Sequence, residues 1–295
     1  MADEVSGEAV DSVSTVDIQK CIVSTERSRY ILAVVIVTPI TLAYILLTVG
    51  IGLLIVPPVL LGAWITVRLF RAHLLGSCVE VSPDNFPEIH DHLAGICKRL
   101  EYPKKVEVYV FQEGEVNTFL VRRFRTRMIL LPHEVVKGTL EEKEQQQLVW
   151  LLARAVGHLK AKHLRLAWLN ILVESFEKLA ILNLFLYPWE RATQYSGDRI
   201  GLAVCSDLEA ALTAMKKLMI GNDLALRATL LGALQQRKRL TGSLFAWLAE
   251  SLSTHPHLTK RMASLIYWAR TSEGRLYEQF MAKQKDRDRI EALLP

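Results

Sequence analysis

At 295 residues, with 51% hydrophobic residues, a mean hydropathy of +0.19 and a formal charge of +5, the chain can bury a sizeable core and still spare apolar segments for lipid. It carries no internal repeat and no low-complexity tract. Its four cysteines, Cys21, Cys78, Cys97 and Cys205, show no paired spacing and read as free, reduced thiols rather than as a disulfide framework.

Residues 1–29 form a polar, partly acidic tail expected in the cytosol. No charged residue then occurs between Tyr30 and Val67. As one helix this run would span about 57 Å at roughly 1.5 Å per residue, almost twice a hydrocarbon core of about 30 Å. Gly50, Gly52 and Pro57-Pro58 lie near its middle, so a two-helix transmembrane hairpin is expected over 30–69, with helices at about 30–48 and 53–69. A cleaved signal peptide fits less well, because the run follows a long polar tail and exceeds an h-region. Lys20, Arg27 and Arg29 precede the hairpin and Arg68 and Arg71 follow it. This charge pattern places both termini and the folded domain in the cytoplasm, as for an integral protein of a bacterial inner membrane.

Past the hairpin, a Pro/Asp turn opens Val79 to Arg99, and Ile89, Leu93, Ile96 and Leu100 share one helical face. Alternation around Val106, Val108 and Val110 predicts a strand over Lys105–Phe111, and Arg127–Leu131 predicts another. Leu140 to Lys162 reads as a long helix, with Glu141, Glu142 and Glu144 at its start, Lys160 and Lys162 at its end, and Leu148, Leu151, Leu152, Ala155 and Leu159 as its buried stripe. Helices are predicted at about 165–187, 192–219 and 223–252, and a last packed helix over Thr259–Arg270. Glu273–Arg289 shows no core face wide enough to dock firmly, so 271–295 is set apart as a charged C-terminal segment. The helix of 164–187 is apolar enough to suggest another membrane segment. Glu174, Glu177 and Lys178 at its centre would each cost about 2.5–3.5 kcal/mol on an insertion scale, which favours a place on the membrane or in the domain core.

The basic run Arg122-Arg123-Phe124-Arg125-Thr126-Arg127 is explained by a solvated hairpin turn or by attraction to anionic headgroups, and no nucleic-acid partner is drawn from it. Metal motifs elsewhere fail on geometry. His133-Glu134-Val135-Val136-Lys137 lacks a second histidine, and the preceding proline makes it the opening of a turn. His158 and His163 are five residues apart and should diverge by about 140° on a helix. His90 and His92 lie on opposite sides of a helix, and His255 and His257 flank Pro256 in an extended loop.

One segment carries a chemical signature by what it has lost. In H-E-x-x-H, two imidazoles on consecutive turns of one helix face hold zinc, and the glutamate between them polarises the bound water. Here the register ending at His158 reads Arg154-Ala155-Val156-Gly157-His158. A cation stands at the first ligand position and a methyl group at that of the general base.

Around this segment the chain resembles the HtpX-like membrane metallopeptidases, a group that includes the CAAX prenyl proteases. Asn117-Thr118-Phe119 resembles the segment before the family's edge strand, and Thr126-Arg127-Met128-Ile129-Leu130-Leu131 resembles that strand. Gln194-Tyr195-Ser196-Gly197-Asp198-Arg199 resembles the Glu-x-x-x-Asp motif, and Ser253-Thr254-His255-Pro256 with Arg261 resembles the Thr-His-Pro…Arg element. The resemblance covers roughly 74 to 268. It implies a mainly α (α+β) architecture, the membrane hairpin followed over 74–270 by a zincin-like metallopeptidase domain with a small β-sheet. It also places the family's metal ligands on Arg154, His158 and Gln194, and the aspartate that supports the first ligand on Asp198.

Three functions follow as expectations. The first is a catalytically inactive, membrane-anchored homologue of a zinc metalloendopeptidase, binding protein partners or peptides at the membrane surface. Its cleft candidates are Arg154, His158, Gln194, Asp198, Arg199, His255 and Arg261. No catalytic residue and no cofactor are expected, and the partners are membrane lipid and a protein. The second is an active zinc peptidase in which His158 is joined by two of Gln194, Asp198, His163 and His255. The third is a structural membrane anchor with a relic cleft.

Overall fold

A computed structural model describes residues 14–48, 51–112, 119–123, 126–137 and 145–294. After the short helix α1 (Ile18–Cys21), helix α2 spans Glu26–Leu47 and α3 spans Ile51–Ser77. Both are long and apolar enough to cross a membrane. Pro39, Pro57 and Pro58 lie within these helices and do not end them. The predicted turn at Gly50 lies outside the described residues. Helix α3 runs eight residues beyond the expected end at 69, so no linker separates the hairpin from the domain.

The sheet has the order β1-β2-β4-β3, built from β1 (Val79–Glu80), β2 (Glu107–Phe111), β3 (Phe119–Arg123) and β4 (Thr126–Pro132). β2 and β4 run parallel, and β3 pairs antiparallel with β4. β3 therefore forms the edge and β4 is interior, a correction to the reading of Thr126–Leu131 as the edge strand. Asn117 and Thr118 lie outside the described residues. Val108 and Val110 face the main core, whereas Tyr109 packs with Met128, Leu130 and Leu74 on the opposite face. His133–Lys137 is a short helix, α5, and not only a turn.

Helix α4 (Pro87–Arg99) buries Ile89 and Ile96 against the centre of the domain, α6 (Gln145–Lys160). The start predicted for α6 at 140–144 lies outside the described residues. Its buried surface is wider than the expected stripe, since Trp150, Ala153, Val156 and Gly157 are buried with the leucines. A helix enclosed on most sides needs a close neighbour, and α8 (Asn183–Cys205) supplies it. Three glycines let the two helices approach. A Cβ on Gly157 would lie 2.6 Å from Ile200 Cγ2, one on Gly201 would lie 2.8 Å from Trp150 Nε1, and one on Gly197 would collide with His158 Nε2.

The helices predicted as single runs are broken. The 165–187 segment divides into α7 (Ala167–Ser175), a 3₁₀ turn (Glu177–Leu182) and the first turns of α8. These pieces form a second core with α2, in which Leu169, Val173, Leu182 and Trp189 meet Ala33 and Val37, and Phe176 lies edge-on to Tyr44 at 5.6 Å. The 192–219 run is interrupted by Ser206 in the left-handed region and by Asp207, whose side chain caps α9 (Leu208–Ile220) by accepting from Ala210 N–H at 2.9 Å. The 223–252 run becomes α10 (Asn222–Ala225), α11 (Leu230–Leu240) and α12 (Leu244–Ser251), with Thr229 and Ser243 as new N-caps.

After α13 (Leu258–Ser272) the C-terminal segment docks, contrary to expectation. Tyr277, Phe280 and Met281 of α14 (Gly274–Ala282), spaced i, i+3, i+4, and Ile290 of α15 (Arg287–Glu291) are buried in the main core. Two helical turns of apolar stripe suffice when charged neighbours such as Arg275 and Glu278 stay outside. No disulfide joins the four cysteines.

The tight α6–α8 seam gives a prediction of opposite signs. Gly201→Val should cost about 1–3 kcal/mol by overpacking against Trp150. Gly95→Ala, in α4 where an added Cβ meets nothing within 4 Å, should stabilise by about 0.5–1 kcal/mol. Thermal unfolding of the detergent-solubilised chain measures both, and equal shifts would contradict the seam.

Candidate functional site

Arg154 projects from α6 towards α8, where Gln194 and Asp198 lie one turn apart on the facing side. Its Nε donates to Asp198 Oδ1 at 2.8 Å, and an Nη donates to Gln194 Oε1. Arg261, on α13, reaches the same carboxylate from the other side, with Nε donating to Oδ2 at 2.8 Å and Nη2 to Oδ1 at 2.6 Å. One buried carboxylate therefore accepts three hydrogen bonds from two guanidinium groups. The side chains of Asp198 and Arg261 are 2% and 6% exposed and that of Arg154 is 15%, so Arg154 is the member that faces outward.

The charges follow from this geometry. Burial works against the Arg261 cation, but Asp198 more than offsets it and holds its pKa above the ordinary value. Arg154 is pushed down to about 10, by burial first and then by the charge of Arg261, with Asp198 pulling the other way. It remains protonated at neutral pH. Two cations against one carboxylate leave the cluster with a net positive charge.

His158, one turn along α6, is enclosed. Burial, followed by His163 and the two arginines, lowers its pKa well below the usual imidazole value, so the ring is neutral. Its Nδ1 lies 2.9 Å from His163 Nδ1, and its Nε2 faces the backbone of Gly197. The expectation that His158 and His163 diverge is wrong. Helix α6 ends at Lys160, and Lys162 in the left-handed region reverses the chain. His163 N–H then donates to His158 C=O at 3.0 Å, which returns the second ring to the first.

Beyond His163 lies a part of the site that the motifs did not reveal. His163 Nε2 is 3.2 Å from Glu26 Oε1, and Ser196 Oγ donates to Glu26 Oε2 at 2.6 Å. Val23 N–H donates to Ser196 Oγ at 3.0 Å. The first residue of α2 is thus buried beside the α6–α8 seam, held by His163 and Ser196. Its only trace in the sequence is an acidic residue just ahead of the uncharged run.

The other candidates make no hydrogen bond to this cluster among the described residues. Arg199 follows Asp198 by about 100° of helix rotation and turns to the far side, where its guanidinium lies 5.9 Å from the Trp268 ring. His255 sits at the exposed rim, its Nδ1 2.7 Å from Thr254 Oγ1. Ala155 is buried and has no group that could handle a proton. Among the described residues, no three His, Cys, Asp or Glu side chains are grouped to hold a metal ion.

The shared carboxylate makes the site sensitive to Asp198. Breaking a buried pair typically costs about 3–5 kcal/mol, because the partner charge stays behind unpaired. Asp198→Ala strands two guanidinium groups and should lower stability by at least that much, whereas Gln194→Ala, removing one neutral acceptor, should cost about 1 kcal/mol. Chemical denaturation in mild detergent compares them, and similar losses would show that the carboxylate does not hold the cluster.

Comparison with curated proteins and with solved structures returns no match. The model of peptidase family M48 matches residues 83–269, a stretch that contains Arg154, His158, Gln194, Asp198 and Arg261 and leaves out Glu26. The match spans well over half of the chain and runs through the α6–α8–α13 arrangement, and on that ground the protein belongs to peptidase family M48.

Proposed function

We propose that this M48 protein is a membrane-anchored, catalytically inactive homologue of the zinc metalloendopeptidases, which binds protein partners or peptides at the membrane surface. The observation that carries this reading is the Arg154–Asp198 pair. A zinc site needs lone pairs converging on one point, whereas an arginine offers only N–H donors. Here Arg154 stands at the family's first ligand position and takes up the oxygen of Gln194 at the third. The carboxylate of Asp198 is occupied by two cations, and both nitrogens of His158 are turned to His163 and to the Gly197 backbone. The side chains present do not fit the family's zinc. With Ala155 at the base position, nothing among them could lower the pKa of a bound water to about 7 or take its proton.

The binding reading is supported by the charge left over. Two guanidinium groups, one carboxylate and a neutral imidazole leave a cation at Arg154, the member of the cluster that is partly open. A carboxylate on a partner, from a side chain or a chain terminus, is the complementary group. Anchoring is supported by the two apolar helices and by the basic residues that flank the uncharged run, Arg27 and Arg29 before it and Arg68 and Arg71 after it, which also favour cytoplasmic termini.

Purified in detergent, the chain should hold far less than one zinc per molecule and should cleave no unfolded substrate in a chelator-sensitive way. Stoichiometric zinc together with such cleavage would sink the reading and favour the active peptidase. For topology, a reporter before Tyr30 or after Pro295 should lie in the cytoplasm, and labelling of Cys78 from the opposite side of the membrane would refute the orientation.

A further inference from the structure

Helix α12 buries none of its residues. Leu244, Phe245, Trp247 and Leu248 are 69, 81, 62 and 45% exposed, and Leu252 just beyond is 59% exposed. Five large apolar side chains within nine residues make a continuous patch of the kind that marks an interaction surface. The helix is nevertheless firmly placed. Arg191, on α8, donates from one Nη to the carbonyl oxygens of Glu250, Ser251 and Ser253 at 2.9, 3.2 and 2.9 Å. Close by on the same helix, Pro188 C=O accepts from Arg29 at 3.2 Å. Trp247 and Glu250 line one shallow depression together with Arg29 and Arg191.

Arg29 fixes the level of this patch. It is the last charged residue before the uncharged run that begins at Tyr30. Helix α12 is therefore held where α2 passes from charged to apolar, the depth at which tryptophan and tyrosine favour a bilayer boundary. The surrounding charge also suits lipid. Lys238 and Arg239 are exposed in the last turn of α11, a few residues before α12. The one acid of α12, Glu250, is paired with Lys260.

We propose that α12 is an interfacial helix, lying in the plane of the membrane with Leu244, Phe245, Trp247 and Leu248 in the acyl–headgroup boundary and with Lys238 and Arg239 on anionic headgroups. The inference rests on the membrane-anchored reading above. It adds a contact to the domain besides α2 and α3. Because the chain passes from Ser251 to His255 within four residues, it also holds the loop that carries His255 close to the bilayer surface.

The test uses the full chain in vesicles of phosphatidylcholine and phosphatidylglycerol with brominated acyl chains, which quench tryptophan emission on contact. Trp247→Phe should lower the quenchable fraction relative to the unaltered chain, as should Trp64→Phe on the membrane helix α3. Lys238→Gln with Arg239→Gln, or vesicles of phosphatidylcholine alone, should reduce the Trp247 contribution and leave that of Trp64. Quenching lowered by Trp64→Phe but not by Trp247→Phe would overturn the inference and leave the anchored reading intact. If neither substitution changed the quenching, the anchored reading would fall and this inference with it. Cross-linking of Trp247→Cys chains to one another, without bromine access to Trp247, would assign α12 to self-association instead.

Discussion

The arrangement of this protein depends on one buried carboxylate. Asp198 lies between Arg154 of α6 and Arg261 of α13 and is carried by α8, so three helices meet at one pair of oxygens. Removing guanidinium groups from water is costly unless each finds charge-assisted hydrogen bonds. The two bonds from Arg261 and the one from Arg154 supply these, with Gln194 taking a further Arg154 donor. The Arg154 bonds cross the seam at which Gly157, Gly197 and Gly201 let α6 and α8 approach closely. Ion cluster and helix seam are therefore one constraint.

That constraint inverts the polarity of the place. A metal centre gathers electron pairs around a cation, whereas here cationic N–H donors gather around an anion and leave positive charge over. The neutral His158 between the guanidinium cluster and His163 adds no charge to either side. On its far side, His163 and Ser196 hold Glu26, the first residue of α2. The start of the apolar hairpin is thus tied to the same seam as the cluster, and α7 with the first turns of α8 packs along α2 as far as Tyr44. Contacts thus run from Glu26 through His163 to His158, one turn along α6 from Arg154.

Much of this was legible in the chain itself. The uncharged run, its length and its basic flanks define two apolar helices, because hydropathy acts locally and needs no partner. The register Arg154-Ala155-Val156-Gly157-His158 and the spacing of Gln194 and Asp198 place these side chains on inward turns of two helices. The contact of Arg154 with Asp198 then follows from charge, since a buried cation requires an anion nearby.

What only the tertiary structure decided are the places where the chain reverses or breaks. A left-handed Lys162 brings His163 back to His158, which helical spacing alone forbids. Capping by Asp207, Thr229 and Ser243 divides runs whose apolar spacing reads as continuous. Glu26 lies 170 positions from Ser196, and no local pattern encodes a contact at that separation. The C-terminal stripe of Tyr277, Phe280 and Met281 became core only because α9, α11 and α13 leave a surface for it. Sequence determined which segments are apolar and which side chains share a helical face. The fold determined which faces meet, because burial and hydrogen bonding between distant segments outweigh the weak local preferences of each one.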